Sequence, residues 1–370
     1  MNKRIALIHS SMPPLEEYIE EIRPLWDTLM LTNNGGIHKE LEIKLGQYLG
    51  VDNLNLFANG HTALQLAIEA LELEGEVITS PFTFGSTTHA IVRNGLTPVF
   101  CDIKSNDCNI DADKIEALIT EKTSAILPVH IYGNACDTEK IDAIARKHGL
   151  KVIYDAAQAF GVSINGRGIG SFGDISVFSF NATKSFHTIE GGAAACRDAA
   201  IKEKLTKLAN YGKNLAVEYG MELAGINGKM NEFQAAMGMC CLRYIDGELD
   251  KRKTADSQYR RRLENVEGIR LIPDKDCDTR NCTYFPILVD EERYGRTRDE
   301  LAGKLLEQNI TSKKYFTPLT PDFICYGGQF GDPDLPVARY MADRVLALPM
   351  HAYLSHEDID RVCGVIESRE

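Results

Sequence analysis

Apolar side chains recur at two different periods along this chain, and the alternation between the two predicts its architecture. After the turn at Asn59-Gly60, Leu64, Ala67, Ile68 and Leu71 fall at the i, i+3, i+4, i+7 spacing that gathers them on one face of a helix. Helical patterns of this kind cover 60–72, 83–94, 111–121 and 137–148. Short β-branched runs lie between and after them, at Glu76–Thr79, Pro98–Asp102, Ser124–Pro128, Lys151–Tyr154 and Ile175–Phe180, each of strand length. Strands separated by helices predict a mostly parallel sheet covered on both faces.

From Met230 to about Val266 one long helical pattern continues, broken only by Gly238 and Gly247. It leads to a second region in which Thr283–Val289 reads as a strand and Arg298–Gln308 as a helix. The expected fold is therefore α/β, with a large domain over 1–245 and a smaller α/β domain over 246–370. No internal repeat or low-complexity segment interrupts this plan.

Composition narrows the function. With 370 residues, 44% of them hydrophobic, the chain buries a large core. Its net charge of −12 opposes a nucleic-acid partner, which needs a basic face. The densest basic stretch, Lys251 to Arg262, is interleaved with acidic residues and reads as the wet face of a helix. The apolar piece near the N-terminus is too short for a signal or a membrane span, so a cytoplasmic protein with no membrane partner is expected. Ten scattered cysteines form no CxxC pair and no zinc spacing, and read as reduced core residues; no metal site is expected. Gly168-Ile-Gly170-Ser-Phe-Gly173 matches GxGxxG, but it precedes a strand instead of following one, so it does not signal dinucleotide binding.

The chemistry concentrates around Lys184. It follows the strand ending near Ser179 and precedes the turn Glu190-Gly-Gly192, while Asp155-Ala-Ala-Gln158 closes an earlier strand. In parallel sheets ligands gather at the carboxyl ends of strands, where all of these fall. A lysine amine can form a Schiff base with pyridoxal 5′-phosphate (PLP), and a buried aspartate can keep the pyridine nitrogen protonated so that the ring accepts electrons. Ser179 offers a hydroxyl to a phosphate, and Asn59-Gly60-His61-Thr62 offers backbone N–H groups at a helix start.

From Asn59 to about Leu354 the chain resembles the PLP-dependent nucleotide-sugar aminotransferases of fold type I. The resemblance implies phosphate contacts at Gly60, His61, Thr62 and Ser179, although His61 departs from the family's Ser-Gly-Thr pattern. It implies that Phe84, in Thr79-Ser-Pro-Phe-Thr-Phe84, stacks on the ring, that Asp155 pairs with the pyridinium nitrogen and that Gln158 approaches the ring face or its 3-hydroxyl. Gly225-Ile-Asn227-Gly-Lys-Met230 is similar to a segment whose asparagine reaches the phosphate of the neighbouring subunit, which implies a homodimer with shared active sites. Asn181-Ala-Thr-Lys184-Ser-Phe-His187-Thr-Ile-Glu-Gly-Gly192 looks most like the branch that aminates C4 of dTDP-4-keto-6-deoxyglucose, with Asn181 where that branch commonly has His.

The implied reaction is transfer of an amino group from L-glutamate to a nucleotide sugar, with Lys184 as the catalytic residue. His187, Lys313, Lys314 and Tyr315 are the candidate substrate contacts, the lysines because a nucleotide diphosphate needs cations. A C3 aminotransferase or a sugar dehydratase on the same fold is the nearest alternative, and relatives of the second kind often carry His in place of the lysine. A non-enzymatic PLP-fold binding or regulatory protein is the remaining one.

Overall fold

The computed structural model describes residues 3–214, 217, 220–273 and 277–368. Seven strands form its main sheet: β1 (Leu54–Phe57), β2 (Glu76–Thr79), β3 (Thr97–Phe100), β4 (Thr123–Leu127), β5 (Lys151–Asp155), β6 (Ile175–Ser179) and β7 (Gly192–Cys196). Their spatial order is β1-β7-β6-β5-β4-β2-β3. The pairs from β3 through β2, β4 and β5 to β6 are parallel, and β7 alone runs against its neighbours β6 and β1. The mostly parallel α/β sheet expected from the pattern is thus present, and β1 (Leu-Asn-Leu-Phe) and the Ala-rich β7, neither with a β-branched side chain, are the strands that the pattern does not reveal.

Helices cover both faces, each fixed by local chemistry. Asn59 caps Gly60–Ala70 by accepting from Thr62 N, and Asp137 caps Thr138–His148 by accepting from Lys140 N. Gly149, at φ +69°, ends the latter in the left-handed conformation that a side chain resists. The 111–121 pattern resolves into a shorter helix, Ala112–Ile115, and a 3₁₀ turn, Glu116–Leu118.

The helix Glu232–Leu263 opens on a capping box between Asn231 and Gln234 and runs unbroken through Gly238 and Gly247. A Cβ on Gly238 would stand 2.7 Å from Leu41 Cδ2 and 2.8 Å from Thr188 Cγ2, so this glycine permits close packing rather than a break. Its basic stretch is only partly wet, because Arg252 is 2% exposed and donates through Nη1 to Met350 O at 3.1 Å.

The helix leads to an antiparallel sheet ordered β8 (Ile269–Leu271), β9 (Phe285–Val289), β10 (Val345–Leu348), flanked by Arg298–Glu307 and His356–Glu367. Among the described residues no helix is long and apolar enough to cross a membrane, and no group of three or more His, Cys, Asp or Glu side chains could hold a metal ion. Most of the cysteines are buried, and Cys325 is exposed. The glycine string at 168–173 forms a 3₁₀ turn, Ile169–Ser171, ahead of β6, so no helix N-terminus follows it.

Candidate active site

The carboxyl ends of β5 and β6 meet the start of helix Gly60–Ala70 around a cavity of about 450 Å³. Gly60, His61, Phe84, Asp155, Gln158, Ser179, Lys184 and Tyr315 all line it. Thr62 is excluded from that wall: its backbone N–H is spent on the Asn59 cap at 2.8 Å. The N–H groups of Gly60 and His61 precede any helical carbonyl that they could reach, which leaves them for an anion.

Close backbone approach shapes this end of the cavity. A Cβ on Gly60 would come within 2.8 Å of Ser179 Cβ, and one on Gly192 within 2.6 Å of Gly60 N. Glycine at both positions lets the helix start press against β6 and β7, so that the Ser179 hydroxyl and the free N–H groups converge. His61 turns its ring to Ser86, Nδ1 to Oγ 2.8 Å. Burial pushes its pKa down, helped by His89 and Arg93, which favours the neutral ring.

Asp155 lies at the other end, 7% exposed. Thr87 Oγ1 donates to its Oδ2 at 2.8 Å and Ala157 N to its Oδ1 at 3.1 Å. Burial raises its pKa above the usual carboxylate value, opposed by these two hydrogen bonds and by the charges of Lys184 and His61. Gln158 is held by Tyr132 N, which donates to its Oε1 at 2.8 Å. Phe84 is 65% exposed at the N-cap of helix Gly85–Arg93, an aromatic face turned to the opening rather than into the core.

The loop that carries Lys184 is tied at its base. Asn181 O accepts from Lys184 N at 2.8 Å, and Asn181 Nδ2 donates to Glu190 Oε1 at 2.7 Å. Asn181 therefore closes the loop with its side chain. The amine itself reaches Tyr284, Nζ to the phenol oxygen 3.4 Å. Tyr284, Phe316, Ile8 and Ser86 also line the cavity; Ser86 and Phe316 stand within two residues of the candidates Phe84 and Tyr315, whereas Ile8 and Tyr284 come from distant segments that carry no site motif, and only the placing of Tyr284 in an expected strand gave any signal.

The remaining candidates lie elsewhere. His187 is 1% exposed with Nε2 2.6 Å from Ser11 O, and it is not among the cavity-lining residues. Lys313 Nζ donates to the Tyr315 hydroxyl at 3.3 Å, at the rim, whereas Lys314 is paired with Asp299 at 2.7 Å. Asn227 sits outside its own chain's cavity, with Oδ1 accepting from Lys229 Nζ at 2.8 Å.

The donor set suits PLP: an amine, a buried carboxylate, a hydroxyl and a glycine-lined anion cradle share one cavity. The sequence matches the DegT/DnrJ/EryC1/StrS aminotransferase family over residues 15–367. The chain belongs to that family. It is 44% identical, over 99% of both chains, to a dTDP-4-amino-4,6-dideoxy-D-glucose transaminase of Shigella dysenteriae. Its structure is similar to that of DesI in the presence of its TDP-sugar product, with a TM-score of 0.93 and 33% identity over 99% of this chain and 93% of the other. NtdA of Bacillus subtilis with bound cofactor PMP matches with a TM-score of 0.88 and 28% identity, over 95% of this chain and 81% of the other. Family membership makes the protein an aminotransferase, and the neighbour that carries PMP supports the PLP fit indirectly.

Proposed function

We propose that this aminotransferase moves the amino group of L-glutamate to C4 of dTDP-4-keto-6-deoxy-D-glucose, giving dTDP-4-amino-4,6-dideoxy-D-glucose for surface polysaccharide synthesis in the cytoplasm. The observation that carries the reading is the convergence of Lys184, Asp155 and Ser179 on one cavity, in a chain whose 44% identical relative is named a dTDP-4-amino-4,6-dideoxy-D-glucose transaminase.

PLP bound here supplies the electron sink for both half-reactions. Asp155 holds the pyridine nitrogen protonated, and the Gly60 and His61 N–H groups with the Ser179 hydroxyl hold the phosphate. Phe84 and Gln158, which line the same cavity, would contact the cofactor ring. Lys184 Nζ removes the proton from the donor's α-carbon in the first half-reaction and delivers one to the sugar carbon that becomes amine-bearing in the second. Lys313 and Tyr315, joined at the rim, meet the nucleotide sugar.

Two copies complete the site. Asn227 is flanked by apolar side chains open to solvent, Tyr211 at 49%, Met221 at 60% and Ile226 at 42% exposure, which favours a second copy against this loop. In that homodimer Asn227 reaches the partner subunit's phosphate.

The test is the visible spectrum of the protein with PLP. L-Glutamate bleaches the band of the lysine-bound cofactor, dTDP-4-keto-6-deoxy-D-glucose restores it, and Lys184→Ala abolishes turnover while remaining folded. Bleaching without recovery on that sugar overturns the substrate, and an active Lys184→Ala variant overturns the mechanism.

A further inference from the structure

Lys184 is half-buried in the wall of the cavity, and the three N–H donors of a lysine ammonium need acceptors there. Asp155 acts on it through charge but makes no hydrogen bond to it. Among the described residues its one hydrogen-bond acceptor is the phenol oxygen of Tyr284, at 3.4 Å, with Nζ 5.8 Å from the centre of the same ring.

The phenol is held by its surroundings. Its ring packs edge-on against Tyr315 at 6.0 Å and tilted against Tyr132 at 5.8 Å. Tyr132 is buried and donates its own hydroxyl to Tyr315 O, which locks the two flanking aromatics together. The next residue, Phe285, begins β9, and its register against Leu348 of β10 fixes the height of the Tyr284 backbone. The ring is therefore held between two aromatic neighbours and tied at its backbone to the C-terminal sheet.

We propose that Tyr284 is a positioning residue for the catalytic lysine: its phenol oxygen accepts the Lys184 N–H and gives the released amine a fixed station beside the reacting carbon. No proton passes to Tyr284. The amine keeps its proton on Nζ until it delivers it, and the phenol keeps its own. This deepens the aminotransferase reading and rests on the assignment of Lys184. It also couples the two sheets, because the lysine belongs to the large sheet's loop and its station to the small sheet.

Tyr284→Phe removes one oxygen and keeps the ring. With the holoenzyme, kcat falls about tenfold while KM for L-glutamate and for the keto sugar stays unchanged, the pattern of a misplaced proton carrier. The second readout needs no turnover: in the cofactor-free protein, Lys184 is labelled by acetic anhydride at a fixed pH of about 8 and counted by mass spectrometry. Loss of the acceptor leaves the amine unrestrained, so labelling of Lys184 rises about threefold relative to the exposed lysines. Unchanged kcat and unchanged labelling overturn the proposal. A rise in KM alone overturns it too, by making Tyr284 a substrate contact. An active Lys184→Ala variant defeats the parent reading, whereas a silent Tyr284→Phe beside an inactive Lys184→Ala defeats only this one.

Discussion

Thr87 donates its hydroxyl to Asp155 Oδ2 at 2.8 Å from the first turns of helix Gly85–Arg93, so the cap region of one helix sets the ionisation of the carboxylate at the end of β5. Burial alone pushes that carboxyl toward its neutral form, and Thr87 is the largest opposing influence. Thr87→Val keeps the shape and deletes the donor. A charge-assisted hydrogen bond is worth roughly 1.5–3 kcal/mol, so kcat is expected to fall by at least about tenfold, with Thr87→Ser restoring most of it. Steady-state kinetics on the three proteins check this, and equal rates for Val and Thr contradict it.

A second carboxylate is purely architectural. Glu232 is 0% exposed and accepts from three backbone N–H groups at the start of helix Gly36–Leu49: Gly35 at 3.0 Å, Ile37 at 2.8 Å and His38 at 3.3 Å. It thereby ties that helix to the first turn of Glu232–Leu263, satisfying donors that a helix start leaves open. Glu232→Gln replaces one acceptor oxygen with a donor amide facing an N–H. Chemical denaturation is expected to record a loss of about 2 kcal/mol, with kcat of the folded fraction little changed.

Lys229 donates to Asn227 Oδ1 at 2.8 Å and to Asn210 Oδ1 at 2.9 Å, and its amine stands 5.0 Å from the Tyr211 ring centre. Pinning the amide oxygen leaves the Asn227 NH₂ end free to donate outward. If that end holds a partner's phosphate, Lys229→Met lets the amide turn and weakens PLP retention about tenfold, a loss of some 1.4 kcal/mol. Lys229→Arg recovers part of it. Equilibrium dialysis measures the effect, and full retention in Lys229→Met separates Asn227 from the phosphate.

The parallel core was legible because each of its strands is a short β-branched run between helices with a 3.6-residue period. What escaped had no such signature. Strand β7 is Gly192-Ala-Ala-Ala-Cys196, whose small side chains let Gly60 and Ser179 approach; its identity as a strand comes from pairing with β1 and β6, not from propensity. At the site, Asp155 and Ser179 stood out because they end strands of the same sheet, and Lys184 because it stands in the loop that follows Ser179. Tyr284 and Ile8 reach the cavity from remote segments, so only tertiary packing reveals them. His187 shows the converse: proximity to Lys184 in sequence put it on the candidate roll, but its ring turns away to Ser11 O. Arg252 likewise belongs to a basic stretch yet is buried, since helical periodicity turns one residue of such a run inward.

The raised pKa of Asp155 carries a consequence for stability as well as for catalysis. In the cofactor-free protein burial holds the folded-state value above the unfolded one, near 3.9. Below the unfolded value both states are protonated and the carboxyl costs nothing; as pH rises through the folded value, ionisation favours the unfolded chain and stability is lost. Asp155→Asn cannot ionise, so the cofactor-free variant is expected to match the wild type near pH 3–4 and to melt about 1–2 °C higher at neutral pH. PLP reverses the order, because the pyridinium nitrogen pairs with the wild-type carboxylate and not with the amide, and activity of the variant is expected to fall about a hundredfold or more. Scanning calorimetry of both proteins across pH, with and without PLP, checks the crossing. A cofactor-free wild type that is the more stable at neutral pH contradicts it, and would mean that the Thr87 and Ala157 hydrogen bonds outweigh the burial of the charge.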